Sequence, residues 1–267
     1  MLLAIDVGNT NIVYGIFRGK ELISSFRIST DTTNSSDEYG MLFLNTLKFN
    51  KIKKEKITDV IISSVVPSLM YTLESMVRRY FGMEPIIVTD KIKTGINIEY
   101  DNPSELGADR IVNAVACVKK YKGPYIILDI GTALTFCVID EDKNYLGGLI
   151  YPGIGISADA LFKRTSKLPS IEIVKPERVV GKSTTKSMQS ALYYGYTSLI
   201  DGIISKIIEE MDFKDVTIIG TGGFASLLLK DTKYEVIIDR GLTLEGLRML
   251  FEMNKDLSKN IEKDTEE

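Results

Sequence analysis

Two stretches of this chain end an apolar run in a carboxylate and follow it with glycine. The first is Leu2-Leu3-Ala4-Ile5-Asp6-Val7-Gly8-Asn9-Thr10-Asn11. Its apolar run is short and bounded by a turn signal, which suits a buried strand better than a helix. Gly8 lets the backbone turn sharply and approach a ligand, while Asn9 and Thr10 offer donors to phosphate oxygens. Asp6, at the carboxyl end of the strand, would face a bound cation. Gly-Asn is also ordinary hairpin chemistry, so this stretch alone does not separate a nucleotide-phosphate site from a plain turn. A second copy shifts the balance. Tyr125-Ile126-Ile127-Leu128-Asp129-Ile130-Gly131-Thr132-Ala133-Leu134-Thr135-Phe136 repeats the order apolar strand, Asp, aliphatic, Gly, Thr, second strand. A hairpin has no reason to recur with Asp in the same place, whereas a pair of domains gripping one nucleotide does. Two carboxylates meeting across a cleft repel unless cations lie between them, so the repeat predicts a metal-dependent site.

A third constellation is Pro103-Ser104-Glu105-Leu106-Gly107-Ala108-Asp109-Arg110, followed by the apolar helical face Ile111, Val112, Val115, Ala116 and Val118. Asp109 and Arg110 therefore fall in or near a first helical turn. Asp there suits the macrodipole, but Arg opposes it. An anionic ligand would supply a reason for Arg110, and a local salt bridge is the alternative. The chain contains no histidine. That excludes a His-based triad, a His-ligated metal and an imidazole base, leaving proton transfer to Asp, Glu, Lys, Tyr or Cys. In phosphoryl transfer an Asp base suffices, because it accepts a hydroxyl proton late in a loose transition state.

The elements that must position these residues form an α/β pattern. At 267 residues and 44% hydrophobic content the chain suits two modest domains with real cores or one large one. Strands are expected up to Asp6, over Ile12–Phe17 and over Glu21–Ile28, and again over Tyr125–Asp129, Leu134–Ile139 and Tyr145–Ile150. Between the copies, helices are expected from Ser36 to Phe49 and from Pro67 to Tyr80, with strands at Ile57–Ser63 and Pro85–Val88. Thr94–Asn102 reads as extended and irregular. After the second copy a helix passes through Leu161 and Phe162, and Leu168–Val180 is a proline-marked crossing. Gly181-Lys182-Ser183-Thr184 looks like the end of a P-loop, but Pro176 stands where the P-loop needs glycine. A hydroxyl residue there instead caps a long helix over about Thr185–Met211, in which Gly195 and Gly202 are spaced for close helix packing. Val216–Gly220 reads as a strand, Thr221-Gly222-Gly223-Phe224 opens a helix, and Leu242–Phe251 is a closing helix able to pack back on the first domain. The expected domains are 1–122 and 123–253, with a frayed charged tail over 254–267.

Charge and composition exclude several classes. The formal net charge of −3, with both signs interspersed, gives no footprint for nucleic acid or an anionic membrane. No apolar run approaches the ~20 residues of a membrane span, and Asp6 interrupts the amino-terminal run early, which argues against a signal peptide. Cys117 and Cys137 lie far apart among apolar residues and read as buried thiols of a cytosolic protein.

Taken in order, Asp6-Val7-Gly8-Asn9-Thr10, Tyr100 with Pro103, Gly107-Ala108-Asp109-Arg110, Asp129-Ile130-Gly131-Thr132, Pro152-Gly153-Ile154, Gly181 to Thr184 with Ser187-Met188-Gln189-Ser190, and Thr221-Gly222-Gly223 resemble the motifs of type III pantothenate kinases. These kinases belong to the actin-like, sugar-kinase-like and Hsp70-like ATPase group. The resemblance spans nearly the whole chain except the charged tail, and the Gly-Ala-Asp-Arg block is its specific part. It implies two actin-like, ribonuclease H-like domains of duplicated topology with a nucleotide cleft between them. It also implies ATP-dependent phosphorylation of pantothenate at its primary hydroxyl, the entry to coenzyme A synthesis. By the same resemblance Asp6, Val7, Gly8, Asn9, Thr10, Asn11, Ile12 and Val13 hold the ATP phosphates, with Asp6 near Mg2+, and Thr132 contacts ATP. Asp109 is the general base. Tyr100, Gly107, Ala108, Asp109, Arg110 and Thr184 line the pantothenate site, and Asp129 binds a monovalent cation, K+ or NH4+. A cytoplasmic homodimer with the substrate site near the subunit interface is implied as well. Arg110 meeting the pantothenate carboxylate is an inference from charge. Two positions depart from the family pattern: Ser183 stands where Asn is frequent, and Ala191 where Gly is frequent.

Rival readings make different predictions. A non-catalytic transcriptional accessory protein of the same family could have lost the base or either phosphate turn, and here all three are intact. An ATP- or polyphosphate-hydrolysing enzyme of the same group would release phosphate without pantothenate. A carboxylate-metal nuclease is disfavoured by the net charge and by the single Asp in each turn.

Overall fold

The computed structural model describes residues 1–264. In chain order its elements are β1 (Leu2–Val7), β2 (Asn11–Arg18), β3 (Glu21–Ser29), α1 (Ser36–Phe49), β4 (Asp59–Ser64), α2 (Pro67–Phe81), β5 (Ile86–Ile87), β6 (Asn97–Ile98) and α3 (Ala108–Lys120). There follow β7 (Tyr125–Ile130), β8 (Ala133–Ile139), β9 (Asn144–Pro152), α4 (Ile154–Arg164), α5 (Thr184–Met211), β10 (Thr217–Thr221), α6 (Ala225–Leu228), β11 (Ile237–Ile238) and α7 (Leu242–Asp264).

Two compact units result, and neither is one continuous stretch. The first contains Met1–Gly95, Asp101–Ala116 and the stretch that begins at Leu242; the second contains Ile96–Tyr100 and Cys117–Gly241. The first sheet runs β3-β2-β1-β4-β5 and the second β11-β10-β7-β8-β9-β6. Apart from β6 the two orders are the same, strand for strand. In each, three antiparallel strands adjoin two parallel ones. The duplication extends to burial. β1 and β7 each present four buried residues, then a half-buried Asp, then a buried aliphatic. Strands covered on both faces read as unbroken apolar runs, so Asp6 and Asp129 mark where each central strand leaves its core.

In the first unit Leu3, Ile5, Val7, Val60 and Ile62 pack against Tyr39, Phe43 and Leu47 of α1 and Leu69, Leu73 and Val77 of α2. α1 has the bounds expected from sequence, because Ser35 and Glu38 form a reciprocal capping box. Gly40 is required within it, since a Cβ there would lie 2.4 Å from the Tyr80 ring. In the second unit Ile126, Leu128, Ile130, Leu134 and Phe136 pack against Tyr193, Tyr196, Ile200 and Ile204 of α5.

Three sequence expectations change. The stretch expected to be irregular contains β6, which pairs parallel with β9 through Asn97–Asn144 and Ile98–Tyr145. Gly195 and Gly202 serve no close packing among the described residues, because nothing lies within 4 Å of a Cβ built at either. α7 does not end at Phe251 but continues as helix to Asp264; residues 265–267 lie outside the described residues. The cause is tertiary. Gly246 lets α7 approach Val112, where a Cβ would lie 2.4 Å from the carbonyl oxygen. Asn254, 2% exposed, accepts from the Lys93 N–H at 2.9 Å and donates to the Lys93 carbonyl at 2.8 Å. Asn254→Ala should therefore lower stability by about 1–3 kcal/mol, read as a drop in Tm, because two part-buried hydrogen bonds of about 0.5–1.5 kcal/mol each are lost. An unchanged Tm would show that this clamp contributes nothing.

Candidate active site

In the first unit, β1 and β2 are joined by Gly8, Asn9 and Thr10. The Gly8 N–H bonds the Asn11 carbonyl at 3.0 Å, and a Cβ on Gly8 would lie 3.1 Å from that oxygen. Thr30, just past β3, ties the loop down: its hydroxyl donates to the Gly8 carbonyl at 2.6 Å and its N–H to the Thr10 carbonyl at 3.0 Å. Asn9 and Thr10 are exposed at the tip, whereas Ile12 is fully buried, so only its backbone can reach a ligand. Val13 is half-buried and lies opposite Asp6 in the ladder.

β4 runs parallel beside β1 with Asp6 opposite Ser63, and the Val65 N–H extends the pairing to the Val7 carbonyl at 3.0 Å. Val65 also links this edge to the start of α3, because a Cβ on Gly107 would lie 3.7 Å from its Cγ1 and 2.5 Å from Asp109 Oδ1. Asp109 thus folds back over Gly107, and Asp109 Oδ1 accepts the Arg110 N–H at 2.8 Å. Ala108 and Arg110 are buried and Asp109 half-buried. Desolvation raises the Asp109 pKa above the usual carboxylate value, outweighing the Arg110 N–H and the Arg110 charge, which both lower it. A carboxyl of raised proton affinity beside a guanidinium is suited to general-base work. The structure thus brings the Asp6–Asn11 turn and Gly107–Arg110 to the same strand ends.

The second unit builds a tighter version of the first turn. Gly131 and Thr132 alone connect β7 to β8, closed by the Gly131 N–H on the Ala133 carbonyl at 3.0 Å. Gly153 holds this turn: its N–H bonds the Thr132 carbonyl at 3.0 Å, and a Cβ would lie 2.2 Å from that oxygen. Gly222 closes on it from β10. Its φ of +94° suits glycine, and a Cβ there would lie 2.6 Å from Asp129 Oδ1 and 2.6 Å from the Ile130 backbone. The Phe224 N–H then bonds the Ile130 carbonyl at 3.2 Å. Both glycines occur in sequence motifs, but their contact with the Asp129 turn carries no local signal.

Tyr100 and Thr184 lie on separate elements of this unit. Tyr100 follows β6, half-buried, with its ring edge-on to Tyr145 at 6.2 Å. Thr184 is exposed as the first residue of α5, next to Ser183, whose hydroxyl accepts the Lys186 N–H at 3.3 Å. Ser183 therefore works as a helix cap, a task that Ser and Asn perform about equally well. Ala191 lines a groove of about 470 Å³ with Val180, Gly181, Tyr194 and Gly195.

Among the described residues no group of three or more His, Cys, Asp or Glu is placed to hold a metal. A cation at Asp6 or at Asp129 must therefore complete its shell with water, backbone oxygens or phosphate, as magnesium does beside nucleotides. The glycines at 131 and 222 keep Cβ atoms away from the Asp129 carboxylate, so the residues present there fit such a group.

The chain shares 54% identity over 258 residues with a type III pantothenate kinase of Finegoldia magna, covering 96% of this chain and 98% of that protein. Among solved structures it resembles one described as a Baf family transcriptional activator from Campylobacter jejuni, at 19% identity and TM-score 0.61 over 95% of this chain and 99% of that one. It also resembles the activator of a 2-hydroxyisocaproyl-CoA dehydratase from Clostridium difficile, at 15% identity and TM-score 0.54 over 98% of this chain and 97% of that one. At such identities these two likenesses establish the actin-like fold alone. The model of type III pantothenate kinases matches residues 2–206, and with the Finegoldia relative it shows that the chain belongs to the type III pantothenate kinase family.

Proposed function

We propose that this chain acts at the site just described as a pantothenate kinase, using ATP to phosphorylate the primary hydroxyl in the first step of coenzyme A synthesis. The observation that carries the mechanism is Asp109, a half-buried carboxyl of raised proton affinity set beside Arg110. Asp109 takes the hydroxyl proton as the alcohol oxygen bonds to the γ-phosphorus and the bond to ADP breaks, so the charge on the leaving ADP balances the proton held by the enzyme. Arg110 pairs with the pantothenate carboxylate, and Tyr100, Gly107, Ala108 and Thr184 complete the substrate contacts. The turn from Asp6 to Val13 holds the ATP phosphates, with Thr132 as a further ATP contact. Magnesium at Asp6 would neutralise phosphate charge, and a monovalent cation, K+ or NH4+, would sit at Asp129. Asp6, Asp109 and Asp129 orient these groups through the strand ends and the helix turn that carry them.

Two further assignments have structural support. A homodimer would cover Val179 and Val180, which are 64% and 79% exposed. A cytoplasmic setting fits the buried thiols of Cys117 and Cys137, which form no disulfide.

The purified protein, given ATP, magnesium and pantothenate with and without potassium, should form 4′-phosphopantothenate detectable by mass, and potassium should raise the rate. Product without any cation response would remove the role given to Asp129. Phosphate release without pantothenate would point to a hydrolase, and a folded, ATP-binding protein that makes no product would point to a regulator.

A further inference from the structure

Ser63 is fully buried, yet its hydroxyl has no hydrogen-bond partner. Its neighbour Ser64 behaves as expected for a strand end, accepting the Val66 N–H at 3.0 Å where α2 begins. The position of Ser63 in the sheet separates it from the hydrophobic core below. Leu3, Ile5 and Val7 of β1 and Val60 and Ile62 of β4 all belong to the cluster under α1 and α2. Strand alternation therefore turns Asp6 and Ser63 to the opposite face, the one that carries Leu2, Ala4 and Ile61 under α7, where they stand at its carboxyl end. The two are register partners on adjacent parallel strands, about 4.8 Å apart along the pairing direction. Buried hydroxyls that the fold itself needs are bonded within the fold. One left open beside the half-buried Asp6 carboxylate, near the carboxyl ends of β1 and β4, is a partner for something that arrives with the ligand.

Resting on the nucleotide reading above, we propose that the Ser63 hydroxyl bonds a water of the magnesium shell held at Asp6 and so positions that cation against the ATP phosphates. Ser63 is a positioning residue, and the chemistry it recognises is a hydrated divalent cation. The test is binding, with two readouts. For Ser63→Ala, titration calorimetry with ADP at graded magnesium should show the half-saturating magnesium concentration rising roughly tenfold, as for other outer-shell partners of metals. The Tm of the unliganded variant should match or exceed that of the unsubstituted protein, because the change removes an unsatisfied buried group. An unchanged magnesium requirement overturns the proposal. So does a lower unliganded Tm, which would mean that the hydroxyl is bonded within the fold. If Ser63→Ala does not fold, the near-isosteric Ser63→Cys supplies the same comparison, since its thiol is a poor partner for water. Failure of the unsubstituted protein to bind ADP with magnesium would sink the nucleotide reading itself, and this inference with it.

Discussion

Asp109→Asn should lower kcat by about 10²–10⁴-fold while raising the melting temperature of the unliganded protein at neutral pH. The two effects have one cause. The carboxylate is desolvated at the start of α3, and the compensating Arg110 contacts do not restore what burial removes, so its pKa stands above the ordinary value. A raised carboxyl pKa means that the folded state holds the proton more tightly than the unfolded state does. Stability from this group is then fully present below the ordinary Asp pKa and is lost as pH rises through the raised value. Asn mimics the protonated form and keeps an oxygen for the Arg110 N–H, so the variant gains stability at neutral pH, and the gain vanishes at low pH. The base function disappears with the same substitution. The acid limb of the kcat profile in the unsubstituted enzyme should lie above the usual carboxylate range. Thermal melts at several pH values, set beside steady-state rates, separate this from a structural role, which would lower Tm and kcat together. Unchanged phosphorylation by Asp109→Asn would remove Asp109 from the mechanism.

Gly222→Ala should be among the most damaging single methyls in the second unit, because backbone strain and close approach coincide there. At φ +94° an L-residue is strained by about 1–3 kcal/mol. The added Cβ would also stand 2.6 Å from both Asp129 Oδ1 and the Ile130 backbone, which cannot step aside as a flexible side chain would. A total loss of roughly 2–4 kcal/mol is expected, together with loss of potassium activation as the Asp129 carboxylate is displaced. Gly223→Ala is the control, since nothing among the described residues lies within 4 Å of a Cβ at that position. Melting and potassium titrations of the pair test this directly. Equal behaviour of the two variants would show that the close approach at Gly222 is unimportant.

The duplicated sheet was legible because its signal is local and occurs twice: Asp and Gly follow the same kind of apolar run at Asp6–Gly8 and at Asp129–Gly131. α1 was legible to the residue because its capping box is written in neighbouring side chains. β6 was not, because two residues carry no periodicity and Asn97–Ile98 is a strand only by virtue of β9. The reach of α7 was hidden for a related reason. Its charged composition reads as solvated, whereas Asn254 is held by Lys93, far away in sequence. Gly195 and Gly202 misled in the other direction, since small-residue spacing states what packing is possible and not what is adjacent. At the site, residue types identified Asp6, Asp109 and Asp129 as candidates, but neither the register of Asp6 with Ser63 nor the burial that sets the affinity of Asp109 for its proton is written in local sequence.

The division of the first unit among three separated stretches bears on how the protein is made. β1 and β4 need α7, whose Leu244 packs against Gly15 and which lies along both strands, but α7 begins only at Leu242. During synthesis the face of β1 carrying Leu2 and Ala4 therefore leaves the ribosome early and waits uncovered while Cys117–Gly241 emerges and can fold as a body of its own. The second unit should be protease-resistant on stalled chains before the first, and chains that end before α7 should depend on chaperones in a way that the full-length chain does not.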